Sequence, residues 1–105
     1  MMSAPLTPAV FHILLALADG PLHGYAIMQA VAATADLGMG PGTIYGTLAR
    51  MESAGMVREI PAAAGDRRRV FALQPAGRKA LHTEARRLTA LAALVRARRL
   101  VPREN

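Results

Sequence analysis

Between Leu37 and Leu73 the chain spells out the start and stop of one helix and then two arms of a hairpin, and that order constrains the fold more than any other feature. Gly40 stands at an N-cap position and Pro41 at N1, where a missing backbone N–H costs nothing. Met39 at N′ and Ile44 at N4 are spaced for a hydrophobic staple, and Gly55 supplies a C′ stop. Ile44, Leu48 and Met51 recur at i, i+4 and i+7 as one apolar stripe, which leaves Gly42, Thr43, Gly46, Thr47 and Arg50 off it. Beyond Gly55, Met56–Ile60 and Arg69–Leu73 are enriched in Val, Ile and Phe and read as short strands. The polar turn Pro61 to Arg68 joins them. A capped helix feeding a basic-tipped hairpin is the layout of a winged helix-turn-helix, so duplex DNA is the first partner to consider.

The rest of the chain is helical punctuation around that segment. Thr7 as N-cap and Pro8 at N1 open a first helix that buries Val10, Ile13, Leu14 and Leu17 and closes at Asp19-Gly20-Pro21. A second helix starts near His23-Gly24-Tyr25, with His23 as its cap. It buries Ile27, Met28 and Val31, and fades through Ala32 to Asp36. Pro75 at N1 starts a last helix running to about Leu100, with Leu81, Ala85, Leu88, Leu91, Ala92 and Val95 on one apolar face. That helix is longer than a core of this size requires, and its surplus apolar surface is best buried against a second copy in a two-fold dimer. The expected division is therefore 1–74 as a winged helix-turn-helix DNA-binding domain and 75–105 as a dimerisation helix with a short frayed tail from Val101. The fold class is mainly α with a small β-hairpin.

Charge is placed unevenly. The chain of 105 residues carries 13 Lys and Arg against 7 Asp and Glu, and none of the basic residues precedes Arg50. Arg67-Arg68-Arg69 and the stretch from Arg78 to Arg103 hold most of the excess, which suits a polyanion partner, although a solvated helix face accounts for part of the second cluster. Arginine is the side chain whose planar fork matches phosphate and guanine. With 0 Cys there is neither a disulfide framework nor a thiolate metal site. The apolar run from Pro8 to Ala18 is too short to span a bilayer and has no basic segment before it, so the expectation is a cytoplasmic protein.

Catalysis finds little support. His12, His23 and His82 fall on separate elements without metal-ligand spacing or an acidic partner, Ser3 and Ser53 lack a nucleophile-elbow setting, and Gly38 to Gly42 neither follows a strand nor carries a P-loop lysine. No enzyme, cofactor or metal site is expected. The competing function is a winged-helix module that binds RNA or protein without a DNA operator. RNA binders display aromatic platforms for base stacking, whereas this chain has only Phe11, Tyr25, Tyr45 and Phe71.

Read together, Ile13-Leu14-Leu15-Ala16-Leu17, Gly20-Pro21-Leu22-His23-Gly24-Tyr25-Ala26-Ile27, Gly42-Thr43-Ile44-Tyr45, Met51-Glu52, Gly55-Met56-Val57 and Asp66-Arg67-Arg68-Arg69-Val70-Phe71 resemble the PadR family of transcriptional regulators. The likeness runs over roughly residues 10 to 95, and the single terminal helix looks like the small subfamily. It implies a homodimeric repressor on a palindromic operator, controlling a neighbouring transporter or a stress or detoxification gene, and in some members released by a small-molecule effector. It assigns Tyr25 and Tyr45 to phosphate or groove contacts, beside Gly42, Thr43 and Thr47, and puts Arg67 and Arg68 on the wing. Arg50 joins this set from the helix pattern itself, since it reaches a guanine or the backbone. Alternation along a strand weakens the case for Arg68 and Arg69, because neighbours point to opposite faces.

Leu81, Leu88, Leu91, Ala92 and Val95 are the expected dimer interface. Drug-binding small members stack planar ligands on a Trp of the last helix; this chain has no Trp, and Leu88 stands in the equivalent place with Ala92 one turn later. A small apolar effector pocket at Leu88 and Ala92 is the residual expectation, with plain dimer packing as its competitor. Gln74 occupies a position where the family commonly has a capping Thr.

Overall fold

The computed structural model of the chain describes residues 6–34 and 38–102. Among the described residues four helices and three strands follow in the order α1 (Pro8–Ala16), β1 (Leu22–His23), α2 (Gly24–Thr34), α3 (Pro41–Ser53), β2 (Val57–Ile60), β3 (Val70–Leu73) and α4 (Pro75–Ala97). The punctuation acts as the sequence implies. The Thr7 hydroxyl accepts from the Val10 N–H at 3.3 Å to cap α1. Gly40 caps α3 with Pro41 behind it, and Met39 packs against the cluster that contains Ile44. At the far end of α3, the Gly55 N–H bonds the Glu52 carbonyl at 3.0 Å and the Met56 N–H bonds the Met51 carbonyl at 2.9 Å. This pair of bonds is a Schellman motif, closed by Gly55 at φ +76°.

The hairpin expectation needs extending. β1 pairs antiparallel with β3, Leu22 opposite Phe71 and His23 opposite Val70, so the sheet has three strands in the order β1-β3-β2. β3 is central, which is why Phe71 and Ala72 are both buried. β2 and β3 each begin one residue later than expected, and α4 ends at Ala97 rather than Leu100. The fading of α2 past Thr34 and the tail beyond residue 102 lie outside the described residues.

One core joins all the elements: Ile13, Leu14 and Leu17 from α1 and just beyond it, Ile27 and Val31 from α2, Ile44, Leu48 and Met51 from α3, Val57, Phe71 and Leu81. Val10 and Met28 are only half-buried at its edge. Leu81, expected at a subunit interface, is instead 6% exposed within its own protomer. The first turns of α4 thus belong to the winged core, and only the helix beyond Glu84 stands clear of it. No helix among the described residues is long and apolar enough to cross a membrane.

Candidate nucleic-acid interface

Strand alternation organises the site. Arg69, immediately before β3, and Phe71 within it stand two residues apart and share a face, and Glu59 sits directly opposite Phe71 on β2. The Arg69 guanidinium therefore lies over the Phe71 ring at 5.3 Å and donates to Glu59 Oε1 from Nε at 3.2 Å and from Nη2 at 2.9 Å. It also stacks 5.1 Å from the centroid of Tyr45, on α3. Tyr45 leans on Phe71, with ring centroids 6.3 Å apart, and its hydroxyl end fills the space that a side chain on Gly24 would need. The backbone closes the same knot, with the Gly24 N–H bonding the Arg69 carbonyl at 3.1 Å. The start of α2, the middle of α3 and the root of the wing thus meet at one point. The Arg69 fork holds the Glu59 carboxyl below the ordinary carboxylate range, so the pair stays charged at neutral pH.

Around this knot the predicted site residues separate. Tyr25, beside Gly24, is 60% exposed. Gly42 and Thr43 face solvent on the first turn of α3, and Arg50 is exposed on its last turns. Tyr45 is half-buried and acts as a strut beneath this surface. Thr47 corrects the sequence reading: it is 1% exposed, and its hydroxyl donates back to the Thr43 carbonyl at 2.8 Å while accepting from Arg50 Nη2 at 3.2 Å. Three residues after Ile44, it lies at the edge of the apolar stripe rather than off it, and back-bonding within the helix lets a threonine be buried there. On the wing, Arg67 and Arg68 are exposed.

The sequence reading missed the acids. Glu59 and Asp66 each engage one wing arginine, and the (RE)x-turn-x(DRRR) charge pairing was their only signal. His23 performs the capping task expected of it, Nδ1 accepting from the Ala26 N–H at 3.3 Å. Gln74 makes no cap; its side-chain amide donates to the Val57 carbonyl at 3.0 Å and pins α4 to β2.

On α4, Leu88, Leu91 and Leu94 are 37%, 43% and 50% exposed, with Ala92 and Val95 partly covered between them. Leu88 and Ala92 do not line one open surface depression of the protomer. That depression lies at the start of α4, between Leu73, Gln74, Pro75, Arg78, Lys79 and His82.

Gly24→Ala tests the knot. The new methyl would collide with the Tyr45 ring, which must tilt away from Phe71 and Arg69. The expected loss is about 1–3 kcal/mol, the range for overpacking a tight contact. It is read as a lower midpoint in chemical denaturation, with part recovered in Gly24→Ala/Tyr45→Phe. An unchanged midpoint would show that Tyr45 is not held against α2.

A helix-turn-helix whose second helix offers a small-residue face, joined to an arginine-tipped wing and followed by a long apolar-striped helix, defines a winged helix-turn-helix with a terminal helical extension. The sequence matches the Transcriptional regulator PadR-like family over residues 13–83, and the chain belongs to that family. It is 40% identical over 82 residues to the transcriptional regulator Rv3488 of Mycobacterium tuberculosis, covering 77% of this chain and 76% of that protein. It is 47% identical over 83 residues to an uncharacterized 37.1 kDa protein in transposon TN4556 of Streptomyces fradiae, covering 79% of this chain but only 24% of that much longer protein. In fold it resembles a PadR family transcription regulator from Clostridium difficile R20291, with a TM-score of 0.77 at 21% identity over 87% of this chain and 97% of the other. It also resembles Bacillus subtilis PadR in complex with operator DNA, with a TM-score of 0.65 at 21% identity over 76% of this chain and 46% of that one. The family and the Mycobacterium tuberculosis relative are transcriptional regulators, not enzymes.

Proposed function

We propose that the chain is a dimeric, sequence-specific DNA-binding regulator, a repressor working in the cytoplasm on a palindromic operator. The observation that carries this reading is the Arg69–Tyr45 tie, which fixes an arginine-tipped wing beside the exposed start of α3. Gly42, Thr43 and Arg50 on α3 would face a major groove, where small residues let the backbone come close and Thr43 and Arg50 meet phosphates or base edges. Tyr25 would contact a phosphate from the start of α2. Arg67 and Arg68 would reach the flanking backbone or minor groove. Leu88, Leu91, Ala92 and Val95, joined by Leu94, would pair with the same surface of a second copy. Two α3 helices entering successive major grooves in such a dimer should lie about 34 Å apart, one turn of B-DNA. A nearby transporter or detoxification gene is the target the family suggests, and Leu88 and Ala92 are read as dimer packing rather than an effector pocket.

The test is a salt titration of binding to the DNA upstream of the protein's own gene and to a scrambled duplex of equal length. The expected outcome is preference for the first with a footprint of dyad symmetry. Arg67→Ala should weaken both complexes and reduce the slope of log affinity against log salt by about 0.9 per wing, one lost phosphate contact. Thr43→Ala should instead change the sequence preference. Equal binding to both duplexes, erased by salt, would leave the wing as a non-specific polyanion surface.

A further inference from the structure

The three consecutive wing arginines occupy three different environments. Arg69 is built into the sheet, as described. Arg67 makes no hydrogen bond or ion pair among the described residues. Arg68 is solvent-exposed over 65% of its side chain and yet is engaged by Asp66 through three bonds. Asp66 Oδ1 accepts from the Arg68 backbone N–H at 2.9 Å and from Nε at 3.2 Å, while Oδ2 accepts from Nη2 at 3.1 Å. The first bond is an Asx turn that shapes the wing tip. The other two fill the guanidinium fork with a carboxylate. The Arg68 fork keeps the Asp66 carboxyl below its ordinary range, so the pair remains charged and closed through neutral pH.

A phosphodiester offers two non-bridging oxygens, in the same bidentate arrangement that Asp66 presents to Arg68. We propose that Asp66 is a specificity-determining residue: it occupies the Arg68 fork in the free protein and yields it to a DNA phosphate only when α3 is seated in register. This rests on the wing being a DNA-contacting element. The closed pair has no net charge with which to attract an approaching phosphate, although the Arg68 side chain is the more exposed of the two. A loosely held, misregistered duplex therefore leaves the pair closed. A seated one holds a phosphate at hydrogen-bonding distance, where its two oxygens replace those of the carboxylate in the fork. The carboxylate thus subtracts from non-specific affinity while leaving the operator complex almost untouched.

Asp66→Asn separates the two jobs of the side chain, since the amide oxygen still accepts the Asx-turn bond but the counter-charge is gone. It is compared with wild type, Arg68→Gln and the double variant, using a duplex selected from a random pool by the wild-type protein and a scrambled duplex. Asp66→Asn should bind the scrambled duplex roughly three- to tenfold tighter, the scale of one gained charged contact, with a salt slope steeper by about 0.9 per wing. On the selected duplex the gain should be smaller and the slope unchanged, so selectivity falls. In the Arg68→Gln background the gain should vanish. An equal gain without Arg68 would mean that Asp66 acts only through overall charge, and weaker binding by Asp66→Asn would make the pair a strut that presents the wing; either overturns the proposal. A wild-type protein that does not discriminate between the duplexes, with Arg67→Ala leaving the slope unmoved, would instead remove the DNA reading itself.

Discussion

Gly77→Ala should lower the stability of the fold by about 3 kcal/mol, the upper part of the overpacking range, although alanine is the better helix former by about 1 kcal/mol. The two effects oppose each other and geometry decides between them. A Cβ on Gly77 would fall on the carbonyl oxygen of Met56, with the Met56 carbonyl carbon only 2.9 Å and its Cα 3.1 Å away. These are backbone atoms, so no rotamer change relieves the contact. Met56 is also fixed from both sides: its N–H closes the Schellman motif on Met51, and its carbonyl accepts from the Gln74 N–H at 2.9 Å. Moving it would uncap α3 or detach the start of α4. For a domain of this size the loss corresponds to a fall in Tm of on the order of 10–20 °C. Thermal unfolding at fixed protein concentration measures it. A raised or unchanged Tm would show that the first turn of α4 is free to lift from β2.

Leu88→Arg should convert the proposed dimer to monomer and cut operator affinity by about 100-fold or more, because each half-site then binds without the effective concentration its partner provides. Leu88 stands mid-stripe, past the last buried position of α4, so a guanidinium there would be desolvated at the interface and would face its two-fold mate. The protomer itself should stay folded, since Gly77 and Leu81 hold α4 to the core upstream. Sedimentation gives the mass and a duplex titration gives the affinity. Leu94→Arg, on the flank of the stripe, should have a smaller effect. A Leu88→Arg protein that sediments as an intact dimer would place the interface elsewhere.

What was legible in the sequence was its punctuation. Thr7-Pro8, Gly40-Pro41 and Gly55 act through the backbone of their own few residues, and each starts or stops a helix where the sequence alone puts it. The errors share a different cause. Leu22-His23 is too short to have a period, and it becomes a strand only because β3 offers it a partner. Thr47 looks polar by composition, yet its hydroxyl is satisfied within its own helix and its position is core. Leu81 and Leu88 belong to one stripe at ideal spacing, and no periodicity tells which length of that stripe is covered by the same chain and which is left bare. The wing shows the same limit: alternation correctly separates Arg68 from Arg69, but their acidic partners are fixed by strand register and loop geometry.

The way α4 leaves the core has a mechanical consequence. Its 23 residues extend about 34 Å, anchored at one end by Gly77 and Leu81 and unsupported by the protomer at the other. In the proposed dimer it is a cantilever, with the DNA-reading head fixed to its root. A change of 10° in the angle at which two such beams cross turns each by 5° and would swing each head by roughly 3 Å, close to one base-pair step. A single repacked leucine far from any nucleotide would then retune the spacing of the operator without altering one residue that reads it.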